Sequence, residues 1–200
     1  MKSALGPDEF PVAIKHLALH HEGQSFDRDI IGFIYWAEQP IRLAAPFLGR
    51  SLFPAERTSA LTSNCDICGQ PSFPHSIYCP ACRRFVFWGG LDHRPRVRAL
   101  KMAWDPILKG FLCYYTGVLL NLTDPRSPWY MTFEHRIPGD DRTQVMAASW
   151  VNSMKTAMSE KEFWLIIKEF ARYLTEGGEF NRNAIKLRYW NRAIKGRIVV

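Results

Sequence analysis

Two pairs of cysteines have the spacing of a metal-binding module. They are Cys65-Asp-Ile-Cys68 and Cys79-Pro-Ala-Cys82, with a short loop between them. Two residues between cysteines let both thiolates bind one cation, and two such pairs complete the tetrahedral four-sulfur shell of structural zinc. Because four sulfurs leave no position for a water molecule, we expect this zinc to be structural. Redox-active dithiols and an iron–sulfur cluster are the alternatives.

A carboxylate and a histidine stand side by side at Glu134-His135, at the end of an apolar stretch and before a Pro-Gly turn. Histidine titrates near neutral pH and suits a general base, whereas a carboxylate is a hard ligand for Mg²⁺ or Mn²⁺. On a helix, Asn152 would bring a neutral oxygen to the same cation, and Lys155 on the same helical face would meet a phosphate. Side chains alternate along a regular strand, so this hypothesis requires an irregular strand end at Glu134-His135.

The elements that position these groups indicate an α+β fold. Residues 94–109 predict a basic linker or helix, residues 111–137 are strand-like, and residues 144–158 predict a helix. A second helix is predicted to begin at the capping box formed by residues 159–162 (Ser-Glu-Lys-Glu) and to end at Gly177.

Four regions follow from this pattern. They are a mixed or helical region of unknown function (1–60), a four-cysteine zinc module (61–93), a core with a following helix (94–178) and a basic tail (179–200). A chain of 200 residues, 47% hydrophobic and 22% charged, is typical of a globular protein. We expect a cytoplasmic protein without a membrane partner, because the longest apolar run is far too short to cross a bilayer and the N-terminus lacks a signal sequence.

The net charge of +7 and the pI near 9.3 favour a polyanionic partner, most commonly nucleic acid, over a charge that serves solubility alone. Arg83 and Arg84, directly after the last module cysteine, are candidates for phosphate contacts, although a solvated basic edge explains them equally. The tail offers Arg188, Arg192 and Lys195 for the same purpose. That tail could also be a structural helix.

Residues 110–158 resemble the HNH, or His-Me finger, endonucleases, whose ββα-metal unit carries an acidic-His pair on its second strand and an Asn or His on its helix. Glu134-His135 is similar to the usual Asp-His pair, and Asn152-x-x-Lys155 to the N-x-x-K that ends the motif in several members. The Cys113-x-x-Thr-Gly117 segment resembles the family's C-x-x-C-G. Two features depart from the pattern: Glu replaces Asp, and Asn152 replaces the final histidine. Gln144 is the nearest counterpart of the middle residue.

The resemblance implies an α+β fold with a ββα-metal core beside the zinc module and flanking helices. It implies a metal-dependent endonuclease acting on DNA, with His135 as general base and Mg²⁺ or Mn²⁺ on Glu134 and Asn152. Lys155 and Arg136 would add positive charge near the phosphate. A zinc-containing nucleic-acid-binding module without catalysis and an interaction protein are the alternatives.

Overall fold

A computed structural model describes residues 5–33, 63–73, 75–87 and 93–177 of the chain. Within these ranges the fold is mixed α+β, as the sequence predicts, and its sheets are small. The helices are α1 (Glu9–His21), α2 (Pro80–Val86), α3 (Arg94–Ala103), α4 (Ser149–Lys155) and α5 (Glu160–Glu176). The strands are β1 (Ser63–Asn64), β2 (Pro71–Ser72), β3 (Trp104–Asp105), β4 (Gly110–Phe111), β5 (Met131–His135) and β6 (Gln144–Ala148). They form three antiparallel pairs, β1 with β2, β3 with β4 and β5 with β6.

The β5–β6 hairpin is regular to its end. Its register runs from Met131 opposite Ala148 to His135 opposite Gln144, without a bulge. The prediction of an irregular strand end at Glu134-His135 is therefore wrong. Because side chains alternate along a regular strand, Glu134 and His135 project from opposite faces of β5.

The prediction of a helix over residues 144–158 is wrong for its first five residues. Gln144–Ala148 form β6, and the helix α4 is limited to Ser149–Lys155. All five residues of β6 are buried, and α3 packs against this strand. A strand covered on both faces is apolar throughout rather than alternating, so its sequence resembles that of a buried helix.

Helix α5 begins and ends as its sequence predicts. The Ser159 hydroxyl accepts a hydrogen bond from the backbone N–H of Glu162, and the Glu162 carboxylate accepts one from the backbone N–H of Ser159. Gly177 ends the helix with φ of 72°, a conformation that glycine adopts without steric cost. The capping box is confirmed.

The N-terminal region contributes to the same core as the hairpin. Phe26 and Phe33 contact Trp129 and Trp150, with ring centroids 5.6–6.0 Å apart. Trp150, on α4, is completely buried. Aromatic clusters of this kind bury large apolar areas, and this one fixes α4 against the hairpin. Among the described residues, no helix combines the length and the apolar character that a bilayer crossing requires.

We predict that Ser159→Ala lowers the free energy of unfolding by about 1 kcal/mol, because an orphaned N–H at the start of α5 loses its acceptor. Urea unfolding measures the change. The matched control is Ser153→Ala, which removes an exposed hydroxyl from α4 and should cost less than about 0.5 kcal/mol. Equal losses in the two variants would contradict the capping role.

Candidate zinc site and catalytic residues

The four cysteines of the predicted module form one cluster. The sulfur atoms of Cys65, Cys68, Cys79 and Cys82 all lie within 4.8 Å of one another, and all four residues are buried. The Cys68 sulfur lies 3.5 Å from those of Cys79 and Cys82. Tetrahedral zinc with bonds of about 2.3 Å separates its sulfur ligands by about 3.8 Å. The cluster could therefore hold a structural metal such as zinc.

Each cysteine pair is positioned by a local backbone feature. In the first pair, the Gly69 N–H donates to the Cys65 carbonyl over 2.9 Å, and Gly69 has a φ of 68°. This tight turn brings the two thiols to one side. In the second pair, Cys79 caps α2, and its sulfur accepts a hydrogen bond from the Cys82 N–H. Both cysteines of the second pair thus lie at the start of that helix.

Three thiols of the cluster differ in their pKa values. Hydrogen bonding from the Cys82 thiol lowers the pKa of Cys79 to about 5. Burial raises the pKa of Cys68 to about 12, and the hydrogen bond to Cys79 raises the pKa of Cys82. Crowded thiolates repel one another in a buried site, and a divalent cation removes that penalty. The donor set therefore suits a thiophilic metal.

The Cys113 segment repeats the first turn of the module without a second sulfur. The Gly117 N–H donates to the Cys113 carbonyl over 2.8 Å, as Gly69 does to Cys65, and the two glycines have φ of 67° and 68°. Thr116 stands where the module has its second cysteine. We therefore expect Cys113, which is buried, not to bind metal.

Glu134 and Lys155 form a buried ion pair. The Lys155 side chain has no exposed surface, and its Nζ donates to Glu134 Oε1 (2.6 Å) and to the carbonyls of His135 (2.7 Å) and Met158 (2.5 Å). Burial raises the pKa of Glu134, and the ammonium of Lys155 partly offsets this effect. In this arrangement Lys155 is inaccessible to a phosphate, so the predicted phosphate contact does not fit its position.

Asn152 lies on the same side of β5 as Glu134. Its amide nitrogen donates to the Thr132 hydroxyl and to the Phe133 carbonyl, both over 3.1 Å. Thr132 and Glu134 share a strand face because they are two residues apart. The structure thus brings the two predicted ligands of the catalytic metal to one face. The Nζ of Lys155 already donates to Glu134 Oε1, an oxygen that a hard cation would use.

His135 lies on the opposite face, in contact with a carboxylate that the sequence analysis did not identify. Its Nε2 is 2.8 Å from Asp141 Oδ1, and the Gln144 amide nitrogen lies 3.1 Å from each of these atoms. The side chains of His135 and Asp141 are 34% and 71% exposed. A carboxylate bonded to one ring nitrogen fixes the orientation of an imidazole.

The predicted positive groups lie in different settings. Arg136 Nε bonds Glu160 Oε2 over 2.5 Å, which raises the pKa of this arginine, and its guanidinium lies over the Tyr114 ring. Arg84 donates to the Tyr130 hydroxyl over 3.0 Å, whereas Arg83 is exposed. The tail residues Arg188, Arg192 and Lys195 lie outside the described residues.

Comparison with known proteins adds no relative. No protein-family model, curated protein or solved structure matches the chain. The interpretation of the site therefore depends on the arrangement of its own residues.

We predict that Cys79→Ser lowers the zinc content of the purified protein from about one ion per chain to near zero, with a loss of stability. Elemental analysis and thermal melting measure the two effects. Cys113→Ser is the matched control, because it also replaces a buried cysteine, and it should retain the zinc. A zinc-free wild-type chain with a cooperative melting transition would contradict the assignment.

We predict that Lys155→Met destabilises the fold by about 3–5 kcal/mol, because the buried Glu134 carboxylate loses its counter-charge. Mn²⁺ should restore part of this loss and should raise the melting temperature of the variant more than that of wild type. The reason is that the oxygens left without Lys155, one each from Glu134, His135 and Met158, are hard ligands. The double variant Lys155→Met/Glu134→Gln is the control, and it should not respond to Mn²⁺. An equal Mn²⁺ response in both variants would exclude Glu134 as the ligand.

Proposed function

We propose that the chain is a metal-dependent endonuclease of the HNH type that hydrolyses phosphodiester bonds in DNA. One observation carries the proposal: an antiparallel hairpin, β5–β6, leads directly into α4 and collects Glu134, His135 and Asn152. The HNH resemblance implies two strands followed by a helix, with the acidic-His pair on the second strand, whereas here the pair lies on β5, the first strand of the hairpin. The His135 carbonyl contacts Lys155 Nζ, so the histidine and the Glu134 carboxylate meet at the same end of β5.

In this proposal His135 is the general base. With Nε2–H donating to Asp141, Nδ1 carries the lone pair that takes a proton from water. The resulting hydroxide attacks phosphorus in line, the bond to the 3′ oxygen breaks, and that oxygen leaves as a hydroxyl after gaining a proton from solvent. Asp141 stabilises the imidazolium that forms. Its exposure, and that of His135, allows a bulky polymer to approach.

Glu134 and Asn152 are the residues that would hold Mg²⁺ or Mn²⁺. When bound, such an ion stabilises negative charge on the phosphate and the leaving oxygen. The support from the structure is chemical, since the oxygens around Lys155 Nζ already bind a cationic group. Lys155 has to yield them to a metal. Arg136, half-exposed at the same strand end, supplies further positive charge.

A second function is a zinc-containing nucleic-acid-binding or interaction protein without catalysis. The observation that favours it is the ion pair itself, because Glu134 is only 4% exposed and is already neutralised. If that pair never opens, the hairpin and α4 are a structural unit. The nuclease function requires the His135 side chain for cleavage, whereas the function without catalysis gives this side chain no role beyond folding.

Cleavage of supercoiled plasmid separates them. We predict that wild type nicks the plasmid with Mg²⁺ or Mn²⁺ and not without added divalent metal, and that His135→Ala lowers the rate at least 100-fold, the usual scale for loss of a general base. His21→Ala, which removes an exposed histidine from α1, is the matched control and should cut at the wild-type rate.

Two outcomes would contradict the proposal in different ways. If wild type cuts nothing with any divalent metal while it remains folded, the function without catalysis is favoured. If His135→Ala cuts as fast as wild type, the activity belongs to another site. Asp141→Asn should lower the rate less than His135→Ala, because it disturbs the orientation of the base and leaves the base in place.

A further inference from the structure

Helix α3 concentrates positive charge on a described surface of the chain. Its ten residues include four basic and no acidic side chains. Arg94, Arg98 and Lys101 are exposed, and their spacing of four and three residues places them on one helical face. Arg96 differs from them, because its guanidinium lies over the Phe133 ring and donates to a backbone carbonyl.

The exposed face of α3 borders a groove of about 510 Å³. The groove is lined by the three basic residues and, among others, by Tyr78 of the zinc module and Met102. Guanidinium and ammonium groups beside an aromatic ring form a surface on which a phosphate backbone binds and a sugar or base packs. The groove therefore combines charge with apolar area.

This basic face leads to the proposed catalytic histidine. Arg98 donates a hydrogen bond to the carbonyl of Arg142, which lies in a 3₁₀ turn over Asp141–Thr143. Asp141 in the same turn bonds His135. The α3 face is thus connected through this turn to the strand end where cleavage is proposed.

We propose that the α3 face, defined as Arg94, Arg98 and Lys101, binds the phosphate backbone of nucleic acid. The inference rests on the proposed nuclease function for the choice of partner. A helix rises 1.5 Å per residue, so the three positions span about 10.5 Å, the axial length of about three nucleotides of one DNA strand. The α3 face therefore has the length of a few nucleotides and a charge opposite to theirs.

Two aspartates lie near the α3 face, and each is paired with a basic residue. Asp66 pairs with Lys101 over 2.8 Å, and Asp140 pairs with Arg142 over 3.0 Å. Both aspartates belong to other elements, the zinc module and the loop after β5. A polyanion therefore competes with Asp66 for Lys101.

The test is binding of a fluorescent DNA duplex by anisotropy over a range of salt concentrations, without Mg²⁺ or Mn²⁺ so that nothing is cut. Changing all three residues to Gln should weaken binding at least tenfold near 0.1 M salt. The plot of log Kd against log salt should become shallower by about two to three, since three phosphate contacts are lost. The control variant Lys15→Gln/Lys161→Gln/Lys168→Gln removes the same charge from α1 and α5 and should bind as wild type does.

Several outcomes overturn the inference. They are equal weakening in the control variant, wild-type binding by the triple variant, and displacement of the duplex by a polyglutamate peptide as efficient as displacement by unlabelled DNA. If the triple variant loses zinc or melts early, Arg94→Gln/Arg98→Gln decides, because it keeps the Lys101–Asp66 pair and should make the slope shallower by about one to two.

Failure of this inference is distinguishable from failure of the proposed function. If binding depends on the α3 face but wild type does not cleave plasmid, the nuclease function is contradicted and the nucleic-acid-binding surface is supported. If wild type cleaves plasmid and the α3 variants bind DNA normally, the binding surface is contradicted and the nuclease function is supported.

Discussion

A buried ammonium group must have oxygen partners, and the partners of Lys155 determine how the central elements meet. Its Nζ bonds the Glu134 carboxylate on β5, the backbone of His135 at the strand end and the backbone of Met158 just before α5. Three separate segments therefore converge on one atom. The desolvation of two charges is expensive, and it is offset only where the geometry satisfies every donor. This requirement fixes the end of α4 relative to the hairpin.

The regular pairing of β5 with β6 is the second constraint, because it places the side chains of the adjacent residues Glu134 and His135 on opposite faces of the strand. Glu134 projects toward α4 and is neutralised inside the protein, whereas His135 projects toward the exposed turn that carries Asp141. The regular strand end does not bring the Glu134 and His135 side chains to one side, which the sequence-based hypothesis requires.

Features set by nearby residues were predictable from the sequence, and features set by distant contacts were not. The capping box of α5 and the four-cysteine cluster depend on spacings of a few residues, and both were identified. Glu134 and Lys155 were each identified as candidates, but their pairing links positions 21 residues apart that no sequence pattern connects. Asp141 was missed because only the turn between β5 and β6 brings it back to His135. Strand β6 was mistaken for helix because burial on both faces removes the alternation that marks a strand.

The four-cysteine module contacts the hairpin and α3 through side chains that bind no metal. Arg84 of α2 reaches the Tyr130 hydroxyl beside β5, Arg96 of α3 reaches the carbonyl of Val86 at the end of α2, and Lys101 pairs with Asp66 between the first two cysteines. Helix α3 thus lies between the module and β6 and depends on both. A metal that fixes Cys79 and Cys82 at the start of α2 also fixes the position of α3. The four-cysteine cluster and the basic face of α3 are therefore connected through α2, although no residue of that face belongs to the cluster.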